Sequence, residues 1–450
     1  MKTTMGRVIE KAHERRVEAV VKQIREAQGT SQPLEFKKSS VPHFVPNPYK
    51  KPAPQIDLRP LKEILHIDPE EGICVVEPGV TFTELVKATL KLGFVPYVVP
   101  ELKQITVGGA VSGCSLESMS YQHGGFHDTA LEYEVVTGTG DVVVCSREEK
   151  RDLFEMVHGS YGTLGILTRI TFKLHPAKRF VHLTYKHFPN FEGYWSYMQE
   201  RFAAKDYQFI DGMIHSPDQF TLCLGNMVDE APYVNRYDWL NIYYKSSQVL
   251  NEDYLSTHDY FFRYDAECHW ITRTMPPLEW KPVRFAVGKF FLGSTNLVKW
   301  SNRLKPFFRM QKRPDVVVDV FIPGRKFEEF FHWYKEAFDF WPLWIVPYKT
   351  PTIYPWISDE HAARMGEDLL IDCAVYGKPN SEPDKDYSEL IEKKTFELNG
   401  IKTLISRNHY DEKTFWDIYS RPRWESAKKT LDPDFLFGDL YQRFNPSNYQ

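Results

Sequence analysis

Between Pro100 and Phe126 the chain reads PELKQITVGGAVSGCSLESMSYQHGGF, in which Gly108, Gly109, Gly113, Gly124 and Gly125 are interspersed with Ser112, Ser115, Ser118 and Ser120. Such a run ties the chain to a fold in which backbone closely approaches a neighbour, because glycine removes the side chain and serine adds a hydroxyl donor. Main-chain N–H groups bared at Gly108, Gly109 and Gly113 suit a large anion, and a diphosphate is the natural candidate. An ordinary surface loop draws on the same residue types, so the run needs support from its neighbours.

Composition narrows the classes. At 450 residues the chain exceeds one ordinary core, and domains of roughly 100–200 residues point to two or three. Hydrophobic residues make up 42% and charged residues 26%, as a folded globular chain requires. Lys and Arg total 56 against 60 Asp and Glu, which leaves no basic excess to neutralise a nucleic-acid backbone. The cysteines (Cys74, Cys114, Cys145, Cys223, Cys268, Cys373) lack C-x-x-C spacing and no secretory segment precedes them. They predict free thiols in a reducing compartment and a protein that is not secreted. The most apolar long run, Phe330 to Tyr348, is broken by His332, Lys335, Glu336 and Asp339. The expectation is a protein that is cytoplasmic or peripheral to a membrane, with no spanning segment.

Residues 7 to 28 read as a charged amphipathic helix with Val8, Ile9, Val17, Val20, Val21 and Ile24 on one side. Mixed acidic and basic residues favour packing over a membrane-surface role. Pro42 to Pro54 is a proline-rich connector leading to a strand at Gln55 to Leu58. Ile73 to Val76 is a short strand, Pro78-Gly79 a turn, and Thr81-x-x-Glu84 a capping box opening a helix over Phe82 to Leu92 that Gly93 closes. Leu131 to Thr137 and Val142 to Cys145 flank a Gly138-Thr-Gly-Asp141 hairpin. Ser146-x-x-Glu149 predicts a helix running to about Val157, and Gly159-x-x-Gly162-x-x-Gly165 leads into an alternating strand, Ile166 to Leu174. Beyond Pro176, aromatic-rich elements (Phe188 to Phe202, Asp259 to Trp270, Phe327 to Trp344) alternate with strand-like runs at Val316 to Ile322 and Leu369 to Val375.

Several chemistries lack their motifs. No G-x-G-x-x-G sits between a strand and a helix, and Walker A, H-E-x-x-H, G-x-S-x-G and paired C-x-x-C signatures are missing from the sequence. His123 and His127 are four apart but have no third ligand nearby in sequence, so no metal site is expected.

The combined pattern is larger than any loop. Glu77-Pro-Gly79, Pro100-Glu-x5-Val107-Gly-Gly109, Glu117-Ser118, Gly124, Thr137-Gly-x-Gly140 and Gly162-Thr-Leu-Gly-Ile166 follow one another in order. This series resembles the FAD domain of the vanillyl-alcohol-oxidase-type flavoproteins. Within them it is most similar to the 24-dehydrocholesterol reductase family, which includes the plant Diminuto proteins. Asp211-Gly212, Arg263-Tyr264, Trp341-Pro-Leu-Trp344 with Pro347, Ile371-Asp372 with Tyr376-Gly377, and Phe415-Trp416 extend the resemblance over nearly the whole chain. Two departures stand out: human-type members begin with a hydrophobic segment not seen here, and Lys37-Lys-Ser-Ser-Val-Pro-His43 replaces the more usual glycine-rich flavin loop.

The resemblance implies an α+β protein with an N-terminal helix (1–30), a two-subdomain PCMH-type FAD-binding domain (31–176) and an α+β substrate or cap domain with an antiparallel sheet (177–400). An aromatic segment (401–450) would complete the core or the active site. It implies that Gly108, Gly109 and Gly113 hold backbone against the FAD diphosphate, and that Cys114, Ser115, Glu117, Ser118, Ser120, Gly124 and Phe126 line the cofactor further along. Gly162, Thr163, Gly165 and Ile166 would lie beside it. Cys114 does not match the position of an attachment cysteine, so FAD is expected to be non-covalent. The implied reaction is reduction of an isolated C=C bond in a sterol or isoprenoid-like side chain, with NADPH as hydride source. That chemistry needs a proton donor and exclusion of water. Asp211, Tyr264, Asp265 and His409 are the candidate acids. The alternative on the same fold is an FAD oxidase or dehydrogenase of an alcohol or sugar-like substrate passing electrons to oxygen.

Overall fold

The computed structural model describes residues 4–30, 32–40, 53–274, 276–296, 299–300 and 314–445. The proline-rich connector expected at Pro42 to Pro54 therefore lies almost wholly outside the described residues, as does the second half of Lys37 to His43.

Two antiparallel sheets organise the chain, giving an α+β fold. The first half supplies β1 (Glu35–Lys37), β2 (Gln55–Asp57), β3 (Ile64–Asp68), β4 (Ile73–Val76), β5 (Phe94–Pro96), β6 (Ala130–Val136), β7 (Val142–Ser146) and β8 (Ile166–Pro176). β1 and β2 pair in parallel as a separate ribbon, while β3-β4-β8-β6-β7 form one antiparallel sheet with β5 added along β8. The capping box is present: Thr81 and Glu84 satisfy each other's backbone at the start of the helix Phe82–Leu90, which buries Phe82, Leu85 and Val86 against this sheet.

One helix start departs from expectation. The helix before β8 spans Arg151–Val157, and Ser146 instead accepts hydrogen bonds from the amides of Glu148 and Glu149 at 3.1 and 3.0 Å. Its hydroxyl is used in the turn that leaves β7, so the helix begins only after Lys150.

The long N-terminal helix Thr4–Ala27 packs rather than floats: Val17, Val20 and Ile24 are buried beside Ile56, Leu61 and Ile166. His13 anchors it, 2.8 Å from Glu77 and 3.0 Å from Glu134. Burial opposes the imidazolium, but the two carboxylates outweigh it and lift His13 to about 9.

The second half supplies β9 (Phe180–Phe188), β10 (Phe209–Ser216), β11 (Gln219–Val228), β12 (Glu252–Ser256), β13 (Val316–Pro323), β14 (Leu343–Lys349), β15 (Leu369–Lys378) and β16 (Ile401–Lys402). They form one sheet in the order β12-β9-β11-β10-β14-β15-β13-β16. Alternation along the strands splits it into two faces. Ile210, Leu222, Val318, Val320, Ile345 and Cys373 pack under the helices Phe191–Ala204, Phe327–Trp333 and Tyr387–Glu397. The residues between them (Asp211, Asp319, Trp344, Asp372, Tyr376) take the opposite face, toward the first half of the chain.

The expected aromatic elements are shorter than their sequence runs. Asp259 to Trp270 breaks into the helix Thr257–Phe261 and a turn at Asp265–Glu267, and the Phe327 helix ends at a left-handed Asp339 (φ +43°) before β14. The C-terminal helices Glu412–Ile418 and Arg421–Leu431 return to the first half: Lys428 donates to the Thr163 carbonyl at 2.6 Å and Gly138 to the Leu431 carbonyl at 2.7 Å.

Candidate active site

The glycine-rich run folds around its own backbone. Gly108 donates to the Pro78 carbonyl at 2.9 Å, Gly109 to the Thr106 hydroxyl at 3.3 Å and Gly113 to the Gly109 carbonyl at 2.9 Å. A Cβ at Gly108 would lie 2.5 Å from Pro78. Close packing of this loop against the Pro78-Gly79 turn is thus what Gly108 serves, and the three amides expected to face a diphosphate already have protein acceptors.

The expected cofactor residues divide by accessibility. Gly108, Gly109, Gly113, Cys114, Ser115, Gly162 and Gly165 keep surface that a ligand can touch, whereas Glu117, Ser118, Ser120, Gly124, Phe126, Thr163 and Ile166 are enclosed by protein. Phe126 is a core side chain, edge-on to Phe82 at 5.1 Å, and Ser118 hydrogen-bonds the Tyr260 hydroxyl at 2.9 Å. Burial pushes the Cys114 thiol up, away from a reactive thiolate. His123 and His127 lie in different surroundings, the first beside Tyr97 and His175, the second beside His158 and Tyr354.

Two cations that sequence reading missed suit the diphosphate better. Lys38 is exposed, yet enough protein surrounds it to push its ammonium down to about 8, with Arg443 adding to the effect. Burial lowers Arg443 as well, although it too keeps solvent contact. Both lie over Phe36, Lys38 Nζ at 6.0 Å and Arg443 Cζ at 5.9 Å from the ring centroid, and Gly162 packs on the same ring so tightly that a Cβ would come within 2.5 Å. Tyr161, next to Gly162 in the chain, links this region to the second half of the chain. Its amide donates to the Ser112 carbonyl at 3.2 Å and its hydroxyl accepts from Leu404 at 3.0 Å. The donor set fits FAD: two cations for the diphosphate, glycine surfaces alongside, and an aromatic ring leading toward the second sheet.

Two polar clusters occupy that sheet's inner face. In the first, Arg263 lies 3.0 Å from Glu117 and 3.2 Å from Asp211, and Asp211 also accepts from Trp344 at 2.9 Å and Tyr264 at 3.3 Å. Tyr260 and Tyr264 sandwich the guanidinium at 4.3 and 4.8 Å. All of these side chains are sealed from solvent. Burial holds Glu117 up at about 7, Arg263 pulls it down and Asp211 pushes it back. Of the expected acids, Asp211 and Tyr264 therefore meet, but in a closed ion cluster. Asp265 is spent on the Lys103 amide at 2.9 Å, and His409 lies elsewhere, 3.0 Å from Ser388.

The second cluster joins Glu101, Asp319 and Asp372 to His269 and Tyr376. Tyr376 donates to Asp319 at 2.6 Å, His269 pairs with Glu101 at 2.9 Å, and the His269 and Tyr376 rings stack at 3.7 Å. Asp372, on β15 beside β13, has an oxygen with no hydrogen-bond partner. Cys268 and His269 both take left-handed backbone (φ +43° and +70°), a strained bend that aims the imidazole inward. Burial pushes Asp319 up to about 6, with the Tyr376 hydrogen bond working against it, and pushes Asp372 well above the carboxylate range, assisted by Asp319 and Glu101. Asp319 and Tyr376 retain accessible surface among Val346, Ala374 and Phe321. Asp372, held protonated, and Asp319, raised toward neutral pH, lie beside Val346, Ala374 and Phe321 and can supply a proton where water is scarce.

Residues 7–146 match the family described as FAD binding domain. Across most of its length the chain is similar to Delta(24)-sterol reductases. The Homo sapiens protein is 26% identical over 452 residues, covering 96% of this chain and 86% of that one. The Pisum sativum protein is 25% identical over 430 residues, 86% and 76% of the two chains. Cytokinin dehydrogenase 6 from Oryza sativa subsp. japonica is 30% identical over 161 residues, 35% of this chain and 30% of its own.

Proposed function

Since the chain carries an FAD-binding domain and is an FAD-linked oxidoreductase related to the Delta(24)-sterol reductases, we propose that it reduces an isolated C=C bond in a sterol or isoprenoid-like side chain, with NADPH as hydride source. The observation that carries this reading is the Tyr376–Asp319–Asp372 group on the inner face of the second sheet. An isolated alkene has no carbonyl to polarise, so one carbon must receive a proton as the other receives hydride. Bound FAD, held non-covalently, would supply the hydride chemistry. Tyr376 would give its hydroxyl proton to the alkene carbon, and Asp319, hydrogen-bonded to it at 2.6 Å, would restore it. Phe321, Val346 and Trp344 would exclude water around them. Lys38 and Arg443 would hold the diphosphate, with Gly162 and the accessible part of the Gly108 to Ser115 run alongside.

In this reading residues 31–176 form the cofactor unit, 177–400 the cap that faces the substrate, and 401–450 a segment that closes the cofactor unit, with the 1–30 helix as a brace. A lipid substrate would be met at a bilayer surface, and no helix among the described residues is long and apolar enough to cross one.

Anaerobic titration of the purified yellow protein tests the proposal. NADPH should bleach the flavin absorbance, a Δ24-type sterol should restore it, and mass spectrometry should find the saturated product. A second reading rests on the same residue: Asp319 in its ionised form could serve as a base for oxidising an alcohol. Peroxide formed from alcohols, with a flavin indifferent to NADPH, would establish that reading in place of the first.

A further inference from the structure

Residues 281–291 form one continuous helical stretch whose polarity is inverted relative to a soluble helix. Its inward stripe is Arg284, Gly288 and Leu292, and its outward face carries Phe285, 77% exposed, and Phe290, 64% exposed, with Trp280 just before it at 61%. The inward attachment is specific. Arg284 pairs with the buried Glu267 and donates to the Leu278 carbonyl at 3.2 Å, and a Cβ on Gly288 would lie 3.0 Å from Trp239. Rotating the helix to bury its aromatics would break that ion pair and leave Glu267 unpaired, so the aromatics are held outward.

Charge points the same way. From Trp280 to Trp300 the sequence has no Asp or Glu, in a chain with 60 of them, and Lys281 and Lys289 flank the exposed rings. Exposed aromatics among lysines, with the neighbouring Glu279 paired to Lys245 and Glu267 to Arg284, match the headgroup layer of an anionic bilayer: the rings enter the interface and the ammonium groups meet lipid phosphates. We propose that this face, Trp280 with the outward side of residues 281–291, docks the protein on an anionic lipid membrane. The N-terminal helix, the more obvious candidate in the sequence, already spends its apolar side on Ile56, Leu61 and Ile166.

The position is suggestive too. Just beyond the helix, Ser294 hydrogen-bonds Asp265, which accepts from the Lys103 amide at 2.9 Å, and Thr295 accepts from Gln104 at 3.0 Å. The same loop supplies Glu101 to the acid cluster. The docking face is thus tied to the wall of the candidate active site. Membrane binding is nonetheless read without turnover, so it stands or falls separately from the reduction proposed above.

Vesicle flotation of the full chain provides the test, with phosphatidylcholine alone or mixed with phosphatidylserine. The protein should float with the phosphatidylserine vesicles, and added salt should release it. Phe285→Ser with Phe290→Ser should weaken partitioning by more than about tenfold, and Lys281→Glu with Lys289→Glu by a similar factor. These side chains point outward, so unchanged melting temperatures should confirm folding. Wild-type protein that stays behind with phosphatidylserine vesicles, or variants that float as wild type does, would overturn the proposal. So would a wild-type dimer that the phenylalanine substitutions dissociate while vesicle binding is absent, since the face would then serve a second protein chain.

Discussion

The two polar clusters on the inner face of the second sheet share an address and differ in their access to solvent. Around Arg263, two carboxylates meet one guanidinium that cannot lose its proton, and the group is sealed. Around Tyr376, Asp319 and Asp372 lie with Glu101 and His269, and Asp319 and Tyr376 stay partly accessible. A buried guanidinium shared by two carboxylates holds elements together, here the Glu117 loop against β10. Asp319, raised toward neutral pH by burial and partly accessible, carries a proton that can act as a reagent. The rings of Tyr264, Trp344 and His269, 5.0 to 5.9 Å apart, stand between the two groups.

The sharpest way to break this contrast is Arg263→Leu. It strips Glu117 and Asp211 of their cation while both remain buried, which should cost about 3–5 kcal/mol in chemical denaturation. A loss below ~1 kcal/mol would mean that the guanidinium does not organise the interface, and the distinction would fail.

Asp319→Asn addresses the other side. Alkene-dependent reoxidation of the flavin should slow roughly 100-fold, about 2.7 kcal/mol in the barrier, while bleaching by NADPH continues, because only the proton step is touched. Stability should change by less than ~1 kcal/mol, since Asn keeps an acceptor for Tyr376. The wild-type rate should fall as pH rises through about 6, where Asp319 gives up its proton, and the variant should lose that dependence. Stability has the same sign. Folded Asp319 keeps its proton to about 6 and unfolded Asp to about 3.8, so the folded state binds more protons in that window and loses stability as pH rises through it. A rate that climbs with pH would point to a base, and to the oxidase reading.

Local signals carried much of the first sheet into view from sequence. The Thr81–Glu84 box, the hairpin at Gly138 to Asp141 and the alternation from Ile166 each need only neighbours in sequence. The glycine run was legible as a place of close approach, but its partner at Gly108 is Pro78, which no local pattern reveals. Asp372 and Tyr376 stood out as landmarks without a role, whereas Asp319 hid inside Val316–Pro323. A lone acid in an apolar strand was the signal there, at a position that alternation places on the same face as Asp372. Lys38 and Arg443 could not have been paired by reading: they meet over Phe36 only because the C-terminal segment folds back onto the first half. His409 shows the reverse error, a chemically suitable side chain that the fold sends to Ser388.

The smallest expected effect is the most discriminating. Tyr264 touches both clusters, giving a 3.3 Å hydrogen bond to Asp211 and a ring stacked 5.9 Å from His269. Tyr264→Phe keeps the ring and removes the hydroxyl. If the hydroxyl serves only the sealed ion cluster, the variant should lose about 0.5–1.5 kcal/mol of stability, because Asp211 still has Arg263 and Trp344. Its alkene turnover and pH profile should match wild type. A turnover defect approaching that of Asp319→Asn would mean that protons pass from Asp211 through Tyr264 toward His269, and the two clusters would have to be treated as one.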